Sequence, residues 1–401
     1  MRIAVLGTYD SKGDELAFIA EQIATRGHTP VRIDVGSYGP PTVPVDVTRQ
    51  QVAMIAGLDL SAVWAARDRG ACVAAMAQAA AAYLPYAVAD GQVEGVVAIG
   101  GGGGTSIALA AMRALPVGVP KLLVSTLAGN PTSPLDLGQR DIVLMPSIVD
   151  VAGLNRISRR IFAQAAAAIC SMVTAKVEAH ADKPLIAASM FGNTTTAVNV
   201  ARHVLEDAGY EVLVFHATGT GGRTMEGLIA SGWFAGVLDL TLTEWADELV
   251  GGILGAGPTR LHAASAAGVP TVVSTGCLDM VNFGPRATVP PRFADRLLYQ
   301  HNDAVTLMRT TPDESAQLGR IIGEKLNRYD PAKLAVCLPE GGLSEIGRSG
   351  HPFHDAAADT ALHDTLVAAL HDEIAVDRWN ADVNDTAFAE HCARQLLNLM
   401  A

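Results

Sequence analysis

Short apolar runs alternate with longer stretches of helical period from the first residues onward, and that alternation predicts the fold class. Ile3–Leu6 reads as a strand ending at Gly7, and Glu15 to Arg26 reads as a helix stopped by Gly27. Val31–Val35, Val96–Ile99, Leu122–Val124 and Ile142–Met145 are further strands, with helices over Ala71–Val88 and Thr105–Leu115. Leu154, Ile157, Ile161, Ala165, Ala168 and Met172 recur every three or four residues, the stripe of one long amphipathic helix. That helix runs toward Asp182-Lys183-Pro184, where a domain boundary is expected, giving domains 1–183 and 184–401. The second half repeats the style. Strands fall at Leu185–Ala188, Val212–Phe215, Val237–Leu240, Thr271–Ser274 and Leu334–Leu338. Helices are expected near Thr195–Ala208, Thr224–Ala230, Thr259–Ala267 and Glu314–Leu326, with a last one over Phe388–Met400. Strands alternating with helices predict an α/β protein of two Rossmann-like domains, with mainly parallel sheets and a ligand cleft between them.

Composition sharpens this reading without redirecting it. About half of the 401 residues are apolar and only 5% are aromatic, so Ala, Val, Leu and Ile must carry the core, as suits helices on buried parallel strands. The formal net charge of −12 speaks against non-specific nucleic-acid binding, which needs a basic footprint. The N-terminal apolar run is too short for a signal peptide, and no stretch reads as a membrane span. The five cysteines are far apart without zinc spacing, as expected of reduced, buried thiols in a cytoplasmic protein. The scattered His, Asp and Glu show no metal-ligand spacing either, so no protein-bound metal is expected, although Mg²⁺ could accompany a nucleotide.

Open α/β sheets place ligands beyond the carboxyl ends of their strands, so the residues that follow each strand carry the chemistry. The first such segment, Gly7 to Gly13, contains Asp10, Ser11 and Lys12 and leads into a helix, the layout of a phosphate site without the full P-loop or dinucleotide pattern. The second is Gly100-Gly101-Gly102-Gly103-Gly104-Thr105-Ser106. Ordering each glycine costs roughly 0.5–1 kcal/mol relative to alanine, more than a plain turn warrants, so backbone N–H groups exposed to a phosphate or carboxylate are predicted. The third, Gly219-Thr220-Gly221-Gly222-Arg223, repeats these mechanics, with an arginine at a helix start where an anionic partner would offset the helix dipole. The fourth offers Cys277 as a candidate nucleophile and Asp279 as a carboxylate partner, although a buried inert thiol is the simpler reading of Cys277. Glu244 follows the strand ending at Leu240, Arg260 and His262 open a helix, and His301 precedes the apolar run Val305–Met308. Glu340, His351 and His354 are weaker candidates of the same kind, equally readable as caps or turns.

Taken together these segments resemble the Tm-one-like ATP-binding family, which is also an uncharacterised protein family. The resemblance rests on Gly7 to Gly13, Gly103 to Ser106, Leu115 to Lys121, Val149 to Asn155, Thr218 to Glu226, Leu238 to Glu244, Asp279 to Gly284 and Gly350 to Asp355. It implies two Rossmann-like subdomains and binding of ATP or a related nucleotide, and for plant members a protein partner. It supplies no cellular reaction. Departures are the length of the run Gly100–Gly104 and the acidic Glu340-Gly341-Gly342.

Three readings follow. In the first, the Lys12 loop and the polyglycine loop hold the phosphates of a nucleotide. In the second, an enzyme binds a small carboxylate or sugar phosphate through Arg223, Arg260 and His262, and Cys277, Asp279 or His301 acts on it. In the third, the chain is a protein-interaction module. A homo-oligomer is expected in each.

Overall fold

A computed structural model describes residues 1–37, 39–129, 135, 137, 140–176 and 182–401. The chain divides into two compact units, Met1–Ala179 and His180–Ala401. Residue 38 of the Gly/Pro-rich loop 36–44 and the end of the expected connector, 177–181, lie outside the described residues.

Unit 1 contains β1 (Arg2–Gly7), α1 (Gly13–Ala24), β2 (Thr29–Asp34), α2 (Arg49–Ile55), α3 (Ser61–Ala66), α4 (Arg69–Ala89) and β3 (Gly95–Gly100), followed by α5 (Gly102–Ala114), β4 (Lys121–Ser125), β5 (Ile142–Pro146) and α6 (Arg156–Thr174). The five strands are all parallel, in the order β2-β1-β3-β4-β5. The crossover after β1 runs to one side and every later crossover runs to the other. The order therefore reverses between β1 and β3, which is where such sheets open a crevice. Alternate β1 residues serve both faces: Ala4 and Leu6 pack under α4 and α5, and Ile3 and Val5 pack under α1 and α6. α6 starts cleanly because the Asn155 side chain accepts from the Ser158 N–H while the Ser158 hydroxyl accepts from the Asn155 N–H. By length and composition alone α4 could cross a membrane, although Gln78, Tyr83, Pro85 and Tyr86 interrupt its apolar run. Here its Cys72–Met76–Ala79–Tyr83–Ala87 face is buried in the unit's core.

Unit 2 contains β6 (Leu185–Met190), α7 (Thr195–Asp207), β7 (Glu211–His216), α8 (Thr220–Ala230), β8 (Phe234–Thr241), α9 (Thr243–Val250), α10 (Ala263–Ala267) and β9 (Thr271–Gly276). It continues with β10 (Met280–Phe283), β11 (Leu298–Asn302), β12 (Val305–Arg309), α11 (Pro312–Leu326), β13 (Leu334–Pro339), α12 (Ala356–Ala369), β14 (Ala375–Trp379) and α13 (Thr386–Met400). Its six-stranded parallel sheet runs β14-β13-β9-β8-β6-β7, reversing between β6 and β8.

The parallel architecture predicted from the alternation of strands and helices is present in both units. The three-stranded antiparallel sheet β10-β12-β11 and the edge strand β14 were not foreseen. These strands have four or five residues, too short for a period to declare itself. Local chemistry makes the β11–β12 hairpin, since the Asn302 side chain accepts from the Ala304 N–H at 2.9 Å.

α11 and α12 approach closely because two glycines on α11 face α12. A Cβ on Gly319 would sit 2.4 Å from the Leu362 carbonyl oxygen, and one on Gly323 would sit 2.7 Å from the Ala369 Cβ. Gly319→Leu is therefore expected to destabilise unit 2 by about 1–3 kcal/mol through forced separation of the pair. Urea unfolding followed by circular dichroism measures this, and an unchanged midpoint would show that the helices do not need the contact.

Candidate functional site

In unit 1 the loops after β1 and β3 meet at the reversal point. They line a cavity of about 800 Å³, together with Ser37 and Gly39 after β2, Arg67 at the end of α3, Arg69 at the start of α4, and Asp150. Of the residues predicted to hold phosphates, Asp10, Ser11, Lys12 and Gly101 to Gly104 all face this cavity.

Local bonds hold the first loop. The Thr8 carbonyl accepts from the N–H groups of Ser11 and Lys12 at 3.1 and 2.9 Å. Asp34, at the end of β2, accepts from the N–H groups of Tyr9 and Gly36, and burial pushes its carboxyl above the usual carboxylate range. The Lys12 ammonium donates to the Val151 carbonyl, which fixes the charge against the loop after β5.

The polyglycine run is not, as the sequence suggested, a loop ahead of a helix beginning at Thr105. Gly102, Gly103 and Gly104 form the first turn of α5 with Gly101 as N-cap, so the strand-to-helix junction is a single residue. None of the five glycines has positive φ, so left-handed backbone is not what requires them. Gly100 is required because a Cβ there would lie 2.4 Å from the Thr105 nitrogen, and Gly103 is tight against Val73 at 3.1 Å. Gly102 has nothing within 4 Å of its Cβ position, and Gly101 has only the Thr126 hydroxyl at 4.0 Å. No side chain caps α5. Its first-turn N–H groups and the positive end of the helix thus face the cavity. Helical phase turns the other two predicted contacts away from it. Thr105 is buried and shares a 2.7 Å hydrogen bond with Ser125, and the Ser106 hydroxyl donates back to the Gly102 carbonyl.

The glycine run of unit 2 has another cause. The N–H groups of Gly219 and Gly222 donate to Oε1 of Glu244 at 2.7 and 3.0 Å, so a buried side chain occupies the anion position at the start of α8. A Cβ on Gly222 would lie 2.1 Å from Glu244, and one on Gly221 would lie 1.8 Å from the His216 carbonyl. Gly219 has φ +77°, where only glycine is unstrained. Close packing accounts for all three.

Arg260 was expected to bind a ligand anion and instead lies in the core at 2% exposure. Its guanidinium is bidentate to Asp239 at 2.5 and 2.6 Å and also donates to Glu244 at 2.9 Å and Glu226 at 3.2 Å. Burial opposes its charge, yet these three carboxylates outweigh burial and hold its proton affinity well above the ordinary value. Glu226 also accepts from the N–H groups of Leu261 and Ala263. The other predicted anion binders are likewise engaged within the protein. Arg223 is exposed and donates to the Gly255 carbonyl and the Thr220 hydroxyl. Burial and the neighbouring Lys325 and Arg328 lower the pKa of His262, so its neutral ring accepts from them.

None of the three alternative catalytic candidates stands at an open strand-end site. Cys277 is fully buried among Met280, Leu307, Ile346 and Phe353, and burial pushes its thiol far above the usual range, the setting of an inert structural thiol. Asp279 is buried and accepts from the Ser344 hydroxyl at 2.6 Å. His301 is exposed on β11, outside the parallel sheet whose strand ends were expected to gather the site.

A second polar cavity of about 320 Å³ lies beyond β13 and β14, lined by Glu340, His354, Asp359, His363 and Arg378 among others. Burial raises Asp359 to about 6, partly offset by Arg309, and burial lowers His363 to about 4. Asp359 and His363 escaped the sequence reading. Their spacing of four on α12 was a usable signal, but it attracts notice only once the helix is placed against the sheet.

Both halves of the sequence have counterparts among known proteins. The N-terminal domain of the uncharacterised protein family UPF0261 matches residues 1–178, and the C-terminal domain of that family matches residues 183–400. The chain belongs to this family. A UPF0261 protein of Clostridium tetani is 46% identical over 401 residues, covering 100% of this chain and 99% of its own length. A second, from Rhizobium meliloti, is 47% identical over 391 residues, covering 97% and 96%. The ToMV resistance protein Tm-1(GCR237) of Solanum lycopersicum is 36% identical over 421 residues, a match spanning 99% of this chain and 56% of the tomato protein. The Tm-one-like resemblance read from the loops therefore holds. Among solved structures, a UDP-N-acetylglucosamine 2-epimerase from Rickettsia bellii aligns over 68% of this chain and 78% of its own, at 11% identity and a TM-score of 0.23. The fold class accordingly rests on the strand orders of this UPF0261 chain.

The Arg260 cluster yields a prediction for unit 2. Arg260→Met leaves Asp239 and Glu244 as uncompensated buried carboxylates, which is expected to cost about 3–5 kcal/mol. A denaturation midpoint close to wild type at neutral pH would contradict a structural role for this arginine.

Proposed function

We propose that unit 1 binds a phosphate-bearing ligand, a nucleotide such as ATP with Mg²⁺, with its phosphates on the N-terminal turn of α5. The observation that carries this reading is the uncapped start of α5 at Gly101–Gly104, whose Cβ side is open at Gly102 and faces the cavity beside Lys12, Arg67 and Arg69. Backbone N–H groups, the helix dipole and the cations of Lys12, Arg67 and Arg69 together favour a multiply charged anion, and a bound Mg²⁺ would offset Asp10 and Asp150, which line the same cavity. A charge-assisted hydrogen bond contributes roughly 1.5–3 kcal/mol, so two or three suffice for micromolar binding when the sugar and base add contact. A cavity of about 800 Å³ has room for a mononucleotide. The rival reading, a small anion held by Arg223, Arg260 and His262, is weakened because these side chains are committed to partners within the protein.

The openness at Gly102 gives a clean test. Gly102→Val adds side-chain atoms only on the cavity side, and a β-branched residue in the first turn changes helix stability by less than about 1 kcal/mol. Calorimetry with ATP and Mg²⁺ is expected to show binding to wild type and at least tenfold weaker binding to Gly102→Val, at nearly equal melting temperature. Equal affinity in the two folded proteins would remove the α5 turn from the site.

A further inference from the structure

β13 and β14 are adjacent parallel strands whose register places Cys337 opposite Asp377, on the face covered by α13. Over that pair α13 lays His391 and, one turn later, Gln395. The Cys337 thiol, an Asp377 carboxylate oxygen and a His391 ring nitrogen all lie within 4.8 Å of one another. His391 Nε2 and Asp377 Oδ2 share a hydrogen bond of 2.8 Å. Around them the Gln395 side-chain amide donates to the same Asp377 oxygen at 3.1 Å, and the Trp379 ring lies against the imidazole at 4.7 Å.

We propose that Cys337, Asp377 and His391 bind a divalent transition metal of the zinc class, which staples α13 to the edge of the unit 2 sheet. The donor set suits that ion. One thiolate, one imidazole and one carboxylate form a borderline-soft trio, unlike the all-oxygen sets that calcium and magnesium choose. Zinc bonds of about 2.3 Å to sulfur and 2.0–2.2 Å to nitrogen and oxygen put tetrahedral ligand atoms roughly 3.3–3.7 Å apart. Sulfur can reach this spacing by closing up, while His391 and Asp377 part slightly, because the metal takes the place of the proton between them. Charge balances as well, since Zn²⁺ with one thiolate, one carboxylate and a neutral imidazole is neutral: binding releases the thiol proton, and the ring proton that lay between His391 and Asp377 moves to Nδ1. Gln395 and Trp379 are the outer contacts that hold a liganding carboxylate and ring in place. A water completes the coordination.

The test uses the full chain, stripped with chelator and titrated with Co²⁺ and with Zn²⁺. Wild type is expected to bind one equivalent of Co²⁺ with a sulfur-to-cobalt charge-transfer band. Cys337→Ala loses the band, and Cys392→Ala, which alters the neighbouring buried thiol, keeps it. His391→Gln, a change at a partly exposed side chain that leaves the core intact, is expected to weaken binding at least tenfold. Zn²⁺ should raise the melting temperature of wild type, as any ligand of the native state does, and leave that of His391→Gln unmoved. If Cys337→Ala does not fold, His391→Gln decides the matter. A stoichiometric Co²⁺ titration of wild type without the sulfur band, or equal affinity in wild type and His391→Gln, would overturn the proposal.

Discussion

Each unit is governed by one topological constraint, the reversal of crossover direction beside the first strand of a parallel sheet. Strands feeding right-handed crossovers to opposite sides leave their following loops splayed apart at the reversal, between β1 and β3 in unit 1 and between β6 and β8 in unit 2. The fold makes this crevice whatever fills it. The units differ in what fills it. In unit 1 the start of α5 is uncapped and faces a cavity. In unit 2 the crevice is stitched by its own hydroxyls: Thr194 and Thr241 share a 2.8 Å hydrogen bond, and the Ser189 hydroxyl accepts from the Thr241 N–H.

The two glycine runs illustrate that difference. In sequence both follow a strand and open a helix, and both read as anion sites. In unit 2 the anion is Glu244, a fixed carboxylate held by Arg260, and the glycines exist because Glu244 and the His216 carbonyl come too close for any side chain. In unit 1 the backbone requires Gly100, whereas Gly102 touches nothing. A helix N-terminus attracts negative charge in either case, and only the presence of an internal carboxylate decides whether a ligand can supply it.

Arg260 ties these elements together. Its guanidinium joins Asp239 at the end of β8, Glu244 on α9 and Glu226 on α8, so one buried cation aligns a strand and two helices. A buried ion pair gains little over a well-packed apolar core, but breaking one leaves an uncompensated charge. The cluster therefore fixes the geometry of unit 2 more than it adds stability. The same cluster fixes the orientation of Glu244, and so keeps the Gly219–Gly222 turn supplied with its anion.

The sequence by itself determined whatever depends on neighbours along the chain. Apolar runs with alternating helical stretches specified the parallel α/β class and most strand positions, because period and turn chemistry are local. The glycines after β3 marked a helix start, and Lys12 and Asp10 were legible after β1 for the same reason; all of them line one cavity. Tertiary structure decided where each side chain's charge goes. Arg260 and Glu244 looked like ligand contacts because their partners lie 16 to 34 residues away, on other elements. For Cys277 the sequence left two readings, a nucleophile or a buried thiol, and packing buries it. Cys337, Asp377 and His391 had no motif to reveal them, because the register of two parallel strands and the seating of a helix, rather than spacing along the chain, bring them within reach of one ion.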